Sequence, residues 1–328
     1  MLSTPEAKFA CQAVAQVSGL VKQIQGEMVS PALTKNDRSP VTVGDYAAQA
    51  VFASYLQDTF PRDILVGEEQ ANALREPEQA ETLQRICGFV KRLIPSATPD
   101  RVCDWIDRGT GEPAERFWTL DPIDGTKGFL RGDQYAVALA LIEKGEPILG
   151  LLGCPNLRLP EFFPHDDPGV LFLAIKGQGV AVTSLEKTKT WHPVSVSEVT
   201  DPSQTRLFGS YESGHTNDTQ VVSFREKLQT VLDPVRLDSQ AKYGLLAAGA
   251  GEILVRFLSA SRPNYREKIW DHAAGMLVVT EAGGMVSDLD GKPLDFTQGR
   301  ELTENRGILA TNGKVHNAAV AAIREIGA

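Results

Sequence analysis

The run WTLDPIDGTKGFLRG, residues 118–132, sets Asp121 and Asp124 three positions apart around Pro122, directly after an apolar stretch. Two more acidic clusters sit at the ends of apolar stretches. Ile64-Leu65-Val66 runs into Gly67-Glu68-Glu69, and Ile269-Trp270 leads into Asp271. Buried carboxylates are costly unless a cation satisfies them. A hard divalent ion such as Mg²⁺ suits carboxylate and carbonyl oxygens and shares its shell with phosphate. No His/Cys spacing of a zinc site accompanies these acids. Pro122 stiffens the turn, so that Asp121 and Asp124 can face one side while the Ile123 carbonyl turns inward, an arrangement able to bridge two ions. Gly125 and Thr126 then offer N–H groups and a hydroxyl to an anionic oxygen.

Each acid also has a plainer use. Asp121-Pro122 and Asp124-Gly125 are turn chemistry. Asp45 and Asp271 could be helix N-caps, each contributing about 1 kcal/mol. Glu68 and Glu69 could be solvated charges. Taken singly, these readings are favoured; the repetition of acids beside buried Trp118 and Trp270 favours a shared site. Strand ends and helix starts at one sheet edge commonly line a ligand cleft.

The elements that must gather these residues follow from periodicity. Ser3-Thr4-Pro5-Glu6 opens a helix carrying Phe9, Ala13, Val17, Leu20 and Ile24. Further helices are expected over Tyr46–Leu56, with Asp45 just before it, and between Glu78 and Leu93. Apolar runs Tyr135–Ile142 and Ile148–Leu152, then Leu171–Ile175 and Val180–Val182, read as strand pairs joined by glycine-containing turns. Helices first and hairpins afterwards suggest an α+β unit over residues 1–200. Beyond it a helix around Val221–Val231, strand Val235–Leu237, helix Ala241–Ala248, strand Ile253–Phe257, helix Asp271–Glu281, strand Ile308–Ala310 and helix Val315–Ile326 alternate. That rhythm implies an α/β unit over 201–328.

With 328 residues, 42% hydrophobic and 23% charged, the composition is that of a globular protein of one large or two smaller domains. A net charge of −9 excludes a general nucleic-acid or membrane-surface binder, which needs a basic face. No signal peptide or membrane-length apolar run is visible. Cys11, Cys87, Cys103 and Cys154 lack CxxC pairing and suit a reducing, cytoplasmic location.

The motifs Gly67-Glu68-Glu69, Asp121-Pro122-Ile123-Asp124-Gly125-Thr126 and Trp270-Asp271-His272-Ala273-Ala274-Gly275, in this order, closely resemble the lithium-sensitive, magnesium-dependent phosphatase superfamily that includes inositol monophosphatase. The longer forms DRSPVTVGDYAAQA (37–50), DPIDGTKGFLRG and YREKIWDHAAG (265–275) resemble the 3'(2'),5'-bisphosphate nucleotidases. Inositol monophosphatases usually show Asn-Phe where this chain has Lys127-Gly128-Phe129. The resemblance spans nearly the whole chain. It implies a layered αβαβα sandwich, with an antiparallel N-terminal sheet and a mixed C-terminal α/β layer. Two or three Mg²⁺ ions would be held by Glu68, Asp121, the Ile123 carbonyl, Asp124 and Asp271. Asp45 and Thr126 would orient the attacking water, and Gly125 and Thr126 would contact the scissile phosphate. His215, Ser239, Lys242 and Arg256 match nucleotide contacts; a solvated helix charge at Lys242 and an exposed loop residue at His215 are the plainer readings. Glu69 is read as an outer or surface acid.

The implied activity is hydrolysis of a phosphomonoester in a small nucleotide bisphosphate, 3'-phosphoadenosine 5'-phosphate giving AMP and phosphate, with 3'-phosphoadenosine 5'-phosphosulfate as a second substrate and lithium as an inhibitor. The metals would let an acidic protein bind so anionic a substrate. The chain is expected to act as a monomer. An inositol phosphate phosphatase shares the metal core and differs in the pocket. A non-catalytic nucleotide sensor would have no need of the water-aiming Thr126.

Overall fold

The computed structural model describes residues 2–28, 40–164, 168–187, 190–211, 217–258 and 265–328. In chain order, helices α1 (Pro5–Met28) and α2 (Pro40–Thr59) precede strand β1 (Ile64–Gly67), helices α3 (Ala80–Val90) and α4 (Pro99–Asp107), and strand β2 (Arg116–Asp124). A short helix α5 (Thr126–Leu130) follows, then β3 (Ala136–Glu143), β4 (Glu146–Cys154), β5 (Val170–Ile175), β6 (Gly179–Ser184) and β7 (His192–Pro193). The remainder comprises β8 (Leu207–Gly209), α6 (Asp218–Leu228), β9 (Val235–Arg236), α7 (Ala241–Ala247), β10 (Ile253–Arg256), α8 (Ala273–Glu281), β11 (Met285–Ser287), β12 (Ile308–Thr311) and α9 (His316–Glu325).

β1 to β7 form one sheet in sequence order; the second sheet has the order β11-β12-β10-β8-β9. The passage between the sheets falls between Pro193 and Leu207. Strand β3 shows how the layers arise. Val137, Leu139 and Leu141 enter a core with α1 to α4, while Ala136, Ala138, Ala140 and Ile142 enter a second core with α7 and α8. Burial on both faces explains why this strand reads as an unbroken apolar run. The second sheet repeats the device. Leu254, Ile308 and Ala310 face the second core, whereas Ile253, Val255 and Leu309 face a third core with Phe224 of α6 and Ile323 of α9. The layers are therefore α, β, α, β, α.

Three expectations need correction. The first sheet is not wholly antiparallel, because β1 pairs parallel with β2. Between them runs a crossover carrying α3 and α4, the length a parallel pair needs. Helix α4, capped by Thr98, whose hydroxyl accepts from Arg101 N at 3.4 Å, was not foreseen. Asp45 lies inside α2 and Asp271 ends a 3₁₀ turn, Ile269–Asp271, before α8, so neither is an N-cap.

The odd spacing of Asp121 and Asp124 is resolved by a bulge. Asp121 pairs with Ala138 and Asp124 with Ala136, so three steps along β2 match two along β3. In a regular strand, residues three apart face opposite sides; the extra residue, at Pro122-Ile123, restores both acids to one side. Pro122 is tolerated there because a bulge frees its position from donating to the ladder.

Candidate active site

The end of β2, the end of β1 and the turn before α8 meet at a cleft of about 460 Å³. Glu68, Asp121, Asp124 and Asp271 all line it, as do Ile123, Gly125 and Thr126. Thr126 Oγ1 donates to the Ile123 carbonyl at 3.3 Å. Gly125 has φ +86°, and a Cβ there would lie 2.8 Å from Ser239 Cβ, so backbone conformation and space both require glycine. Ser239 itself adopts a left-handed φ of +74°, unusual for a residue other than glycine and frequent at functional sites. Its hydroxyl accepts from Ala241 N at 3.2 Å.

The electrostatics are those of acids crowded out of water. Burial pushes Asp121 well above the usual carboxylate range, and the charges of Glu68, Asp124, Asp271 and Asp45 push it further. Glu68 keeps exposed surface toward the cleft, yet the protein packed around its carboxyl and the charge of Glu69 raise it to about 7. Asp271 is raised to about 7 by burial, with His272 opposing and Asp124 adding to the rise. Asp124 is raised by burial, against the pull of Lys242 and of the Gln240 N–H that its carboxylate accepts.

Asp121 Oδ1 is buried and has no hydrogen-bond partner among the described residues. Leaving a buried acceptor unmet costs about 1–3 kcal/mol, more if it is charged. An orphaned carboxylate oxygen among further acids, with the carbonyl-bearing Ile123 in the same wall, is a donor set of hard oxygens. It fits Mg²⁺.

Asp45 does not line the cleft; it is buried in α2, and after burial the charges of Glu69 and Glu68 raise its pKa. What holds this corner is Gln49, one turn further along α2, which the sequence reading missed. Its amide donates to Glu69 O at 2.7 Å and to Ile106 O at 2.8 Å, and accepts from Glu69 N at 3.0 Å. Gly67 and Gly109 lie against that amide, with room for no side chain. Glu69 is thus a half-buried acid pinned by its main chain and raised to about 7 by burial, not a solvated surface charge.

Of the predicted nucleotide contacts, Ser239, Lys242 and Arg256 line the same cleft; His215 lies outside the described residues. Lys242 is not a solvated helix charge. Its Nζ donates to Leu237 O at 3.4 Å, and burial lowers its pKa while Asp124 raises it. Gln240, between Ser239 and the helix bearing Lys242, was also missed. Its side chain donates to Trp270 O at 2.9 Å and accepts from Gly275 N at 3.1 Å, while its N–H donates to Asp124, tying the end of β2 to the turn that carries Asp271. Neutral amides of this kind give no charge pattern to find.

Glu267, Asp271 and His272 place one ligand atom each within 4.8 Å of one another. His272 is already engaged, however, its Nε2 facing Glu267 at 3.0 Å and its Nδ1 facing Tyr243 OH at 2.9 Å. No ring nitrogen is left for an ion, so this trio is a hydrogen-bonded network rather than a separate metal centre.

Comparison with known proteins agrees with the geometry. Residues 3–328 match the inositol monophosphatase family. A 3'(2'),5'-bisphosphate nucleotidase of Schizosaccharomyces pombe is 41% identical, over 93% of this chain and 91% of the relative. A 3'(2'),5'-bisphosphate nucleotidase 1 of Arabidopsis thaliana is also 41% identical, over 98% and 96%. Among solved structures, the Thermotoga maritima IMPase superposes with a TM-score of 0.63 at 20% identity, covering 99% of this chain and 98% of its own. Inositol monophosphatase II of Staphylococcus aureus gives 0.64 at 18%, covering 98% and 94%. These last two share the fold. Family enzymes depend on a metal, generally Mg²⁺. By sequence over nearly its whole length, and by fold, the chain belongs to the inositol monophosphatase family.

Proposed function

We propose that this protein is a Mg²⁺-dependent phosphatase of nucleotide 3',5'-bisphosphates, converting 3'-phosphoadenosine 5'-phosphate to AMP and phosphate. The observation that carries the reading is the cleft's mixed lining. It combines the carboxylate cluster, with the orphaned Asp121 oxygen, and the cations Lys242 and Arg256. The first suits metals and a reacting phosphate, the second a further anionic group on the same substrate. The names of the relatives at about 40% identity support the nucleotide over an inositol phosphate.

In this reading Glu68, Asp121, the Ile123 carbonyl, Asp124 and Asp271 hold two or three Mg²⁺ ions. Bound metal supplies an acidified water and neutralises charge on the phosphoryl oxygens. Thr126, in the cleft wall, orients the attacking water, and Asp45 is the buried acid behind it, beside Glu68 and Glu69. The water's oxygen bonds to phosphorus in line as the P–O3' bond breaks, and the 3'-oxygen leaves as a hydroxyl with the proton that the attacking water gives up. The Gly125 and Thr126 main chain steadies the equatorial oxygens. Ser239, Lys242 and Arg256 bind the nucleotide, with the 5'-phosphate on the two cations. The four cysteines, free and buried, support a reducing location, and no helix among the described residues is long and apolar enough to cross a membrane.

The test is a phosphate-release panel with and without Mg²⁺. It compares 3'-phosphoadenosine 5'-phosphate, its phosphosulfate analogue, inositol 1-phosphate, inositol 1,4-bisphosphate and fructose 1,6-bisphosphate. The adenosine bisphosphate should be the best substrate, with no turnover in EDTA. Preference for an inositol phosphate would transfer the assignment to that branch.

A further inference from the structure

Glu267 was not singled out by its charge or spacing, yet it connects Arg256 to the turn that carries Asp271. It is 4% exposed. Its Oε1 accepts from Arg256 Nε at 3.0 Å, and its Oε2 faces His272 Nε2 at 3.0 Å. His272 is the residue after Asp271, and its other ring nitrogen faces Tyr243 OH in α7, the helix that carries Lys242. The Glu267 main chain is itself fixed, its carbonyl accepting from Leu302 N at 2.8 Å. Both carboxylate oxygens are therefore committed, one to Arg256 and one to His272 beside Asp271.

This arrangement determines how Arg256 can act. A guanidinium offers five N–H donors in a rigid plane. With Nε committed to Glu267, the edge it can present to a phosphate is the pair of terminal nitrogens, which suits bidentate recognition. The Arg256 guanidinium carbon also stands 5.6 Å from the centre of the Tyr265 ring, which limits its rotation further. Lys242 lies close enough for the two cations to disfavour each other. The buried negative charge of Glu267 offsets that repulsion and keeps Arg256 in place.

We infer that Glu267 is a positioning residue for substrate selectivity. Resting on the functional reading above, it holds Arg256 in the orientation that meets the phosphate that is not cleaved. Through His272 it fixes that orientation relative to Asp271. Selectivity for a bisphosphate over a monophosphate then depends on a carboxylate that touches neither phosphate.

The experiment measures kcat and KM with saturating Mg²⁺ for 3'-phosphoadenosine 5'-phosphate and for adenosine 3'-monophosphate, which lacks the second phosphate. The proteins are wild type, Glu267→Gln, Arg256→Ala and the double variant. Glutamine keeps the shape but cannot accept on both arms. Glu267→Gln should raise KM for the bisphosphate tenfold or more and change kcat less, so that the preference over the monophosphate falls about tenfold. Arg256→Ala should lose the same preference, and the double variant should lose no more than Arg256→Ala alone. Equal losses on both substrates, or losses that multiply in the double variant, would mean a merely structural Glu267 and overturn the inference. If Glu267→Gln does not accumulate folded, Arg256→Lys carries the test. An ammonium has no planar edge to orient, so it too should lose the preference; retention would overturn the inference. Wild-type protein inactive on both nucleotides would overturn the functional reading and this inference together. An active wild type with full preference retained in Glu267→Gln overturns this inference alone.

Discussion

At the scale of single residues, the acids behave as a group held together against their mutual repulsion. Asp121 is the most crowded, with four other carboxylates raising its pKa and one oxygen left without a partner. Asp121→Asn should lower turnover by at least the ~10–100-fold that loss of even an outer partner of a metal ligand brings. It should leave the melting temperature in EDTA unchanged or higher, because a buried charge among like charges is gone. Phosphate release and thermal melts check both halves; an Asn variant that keeps its rate contradicts the assignment. Gly125→Ala should destabilise by about 1–3 kcal/mol from backbone strain alone, with the 2.8 Å approach to Ser239 adding to it. A denaturant melt matching wild type would sink that account. The acids and Thr126 were legible in the sequence because each motif is contiguous and its chemistry is distinctive. Gln49, Gln240 and Glu267 were not. Their roles arise from partners far off in the chain, such as Ile106, 57 residues from Gln49, which no local pattern records.

At the scale of elements, a bulge and a clamp set the site. The bulge in β2 turns an awkward three-residue spacing into two acids on one side, and the Asp-Pro-Ile-Asp string announced that some turn must exist. Its partner strand and register were invisible, since pairing is decided by tertiary packing. The helix Asp45 belongs to was legible, but it begins at Pro40 rather than Tyr46, which rules out the cap that was the plainer use of this acid. The clamp is Arg300. Its guanidinium donates to Gly111 O at 3.0 Å, to Gly109 O at 3.3 Å and to the Gly67 carbonyl, and lies 4.9 Å from the Trp270 ring centre. One side chain thus braces the main chain just before Glu68 and the residue just before Asp271. Arg300→Ala should destabilise by about 2 kcal/mol, the scale of charged hydrogen bonds. It should also raise the Mg²⁺ concentration needed for half-maximal activity. A variant equal to wild type in both denaturant melts and Mg²⁺ titration would contradict the bracing role.

For the whole molecule, the five layers bring acids from distant parts of the chain to one cleft, and this convergence sets a pH dependence. Glu68, Glu69 and Asp271 are held up to about 7, above their ordinary values, and Asp45 and Asp121 are raised as well. Groups raised on folding favour the folded state below their unfolded pKa, and that contribution is lost as pH rises through the folded value. Metal-stripped protein should therefore melt lower at pH 8 than at pH 6, and saturating Mg²⁺ should narrow the difference. A metal-free melting temperature that climbs over this interval would contradict the crowding. The layered architecture was legible through the resemblance its motifs carry, while the change from helices and hairpins to α/β alternation indicated only two kinds of unit. The strand order of the second sheet and the single parallel pair of the first were not, because sequence adjacency does not fix spatial order.

The central claim is that carboxylates from both sheet-bearing halves share the same ions. Calorimetric titration of Mg²⁺ into EDTA-stripped protein, with AMP and phosphate present, tests it most directly. Wild type should bind at least two ions per chain. Asp121→Asn and Asp271→Asn, altered in different elements of the cleft, should each weaken binding tenfold or more. Saturation by no ion, or affinities in the two variants equal to wild type, would contradict it.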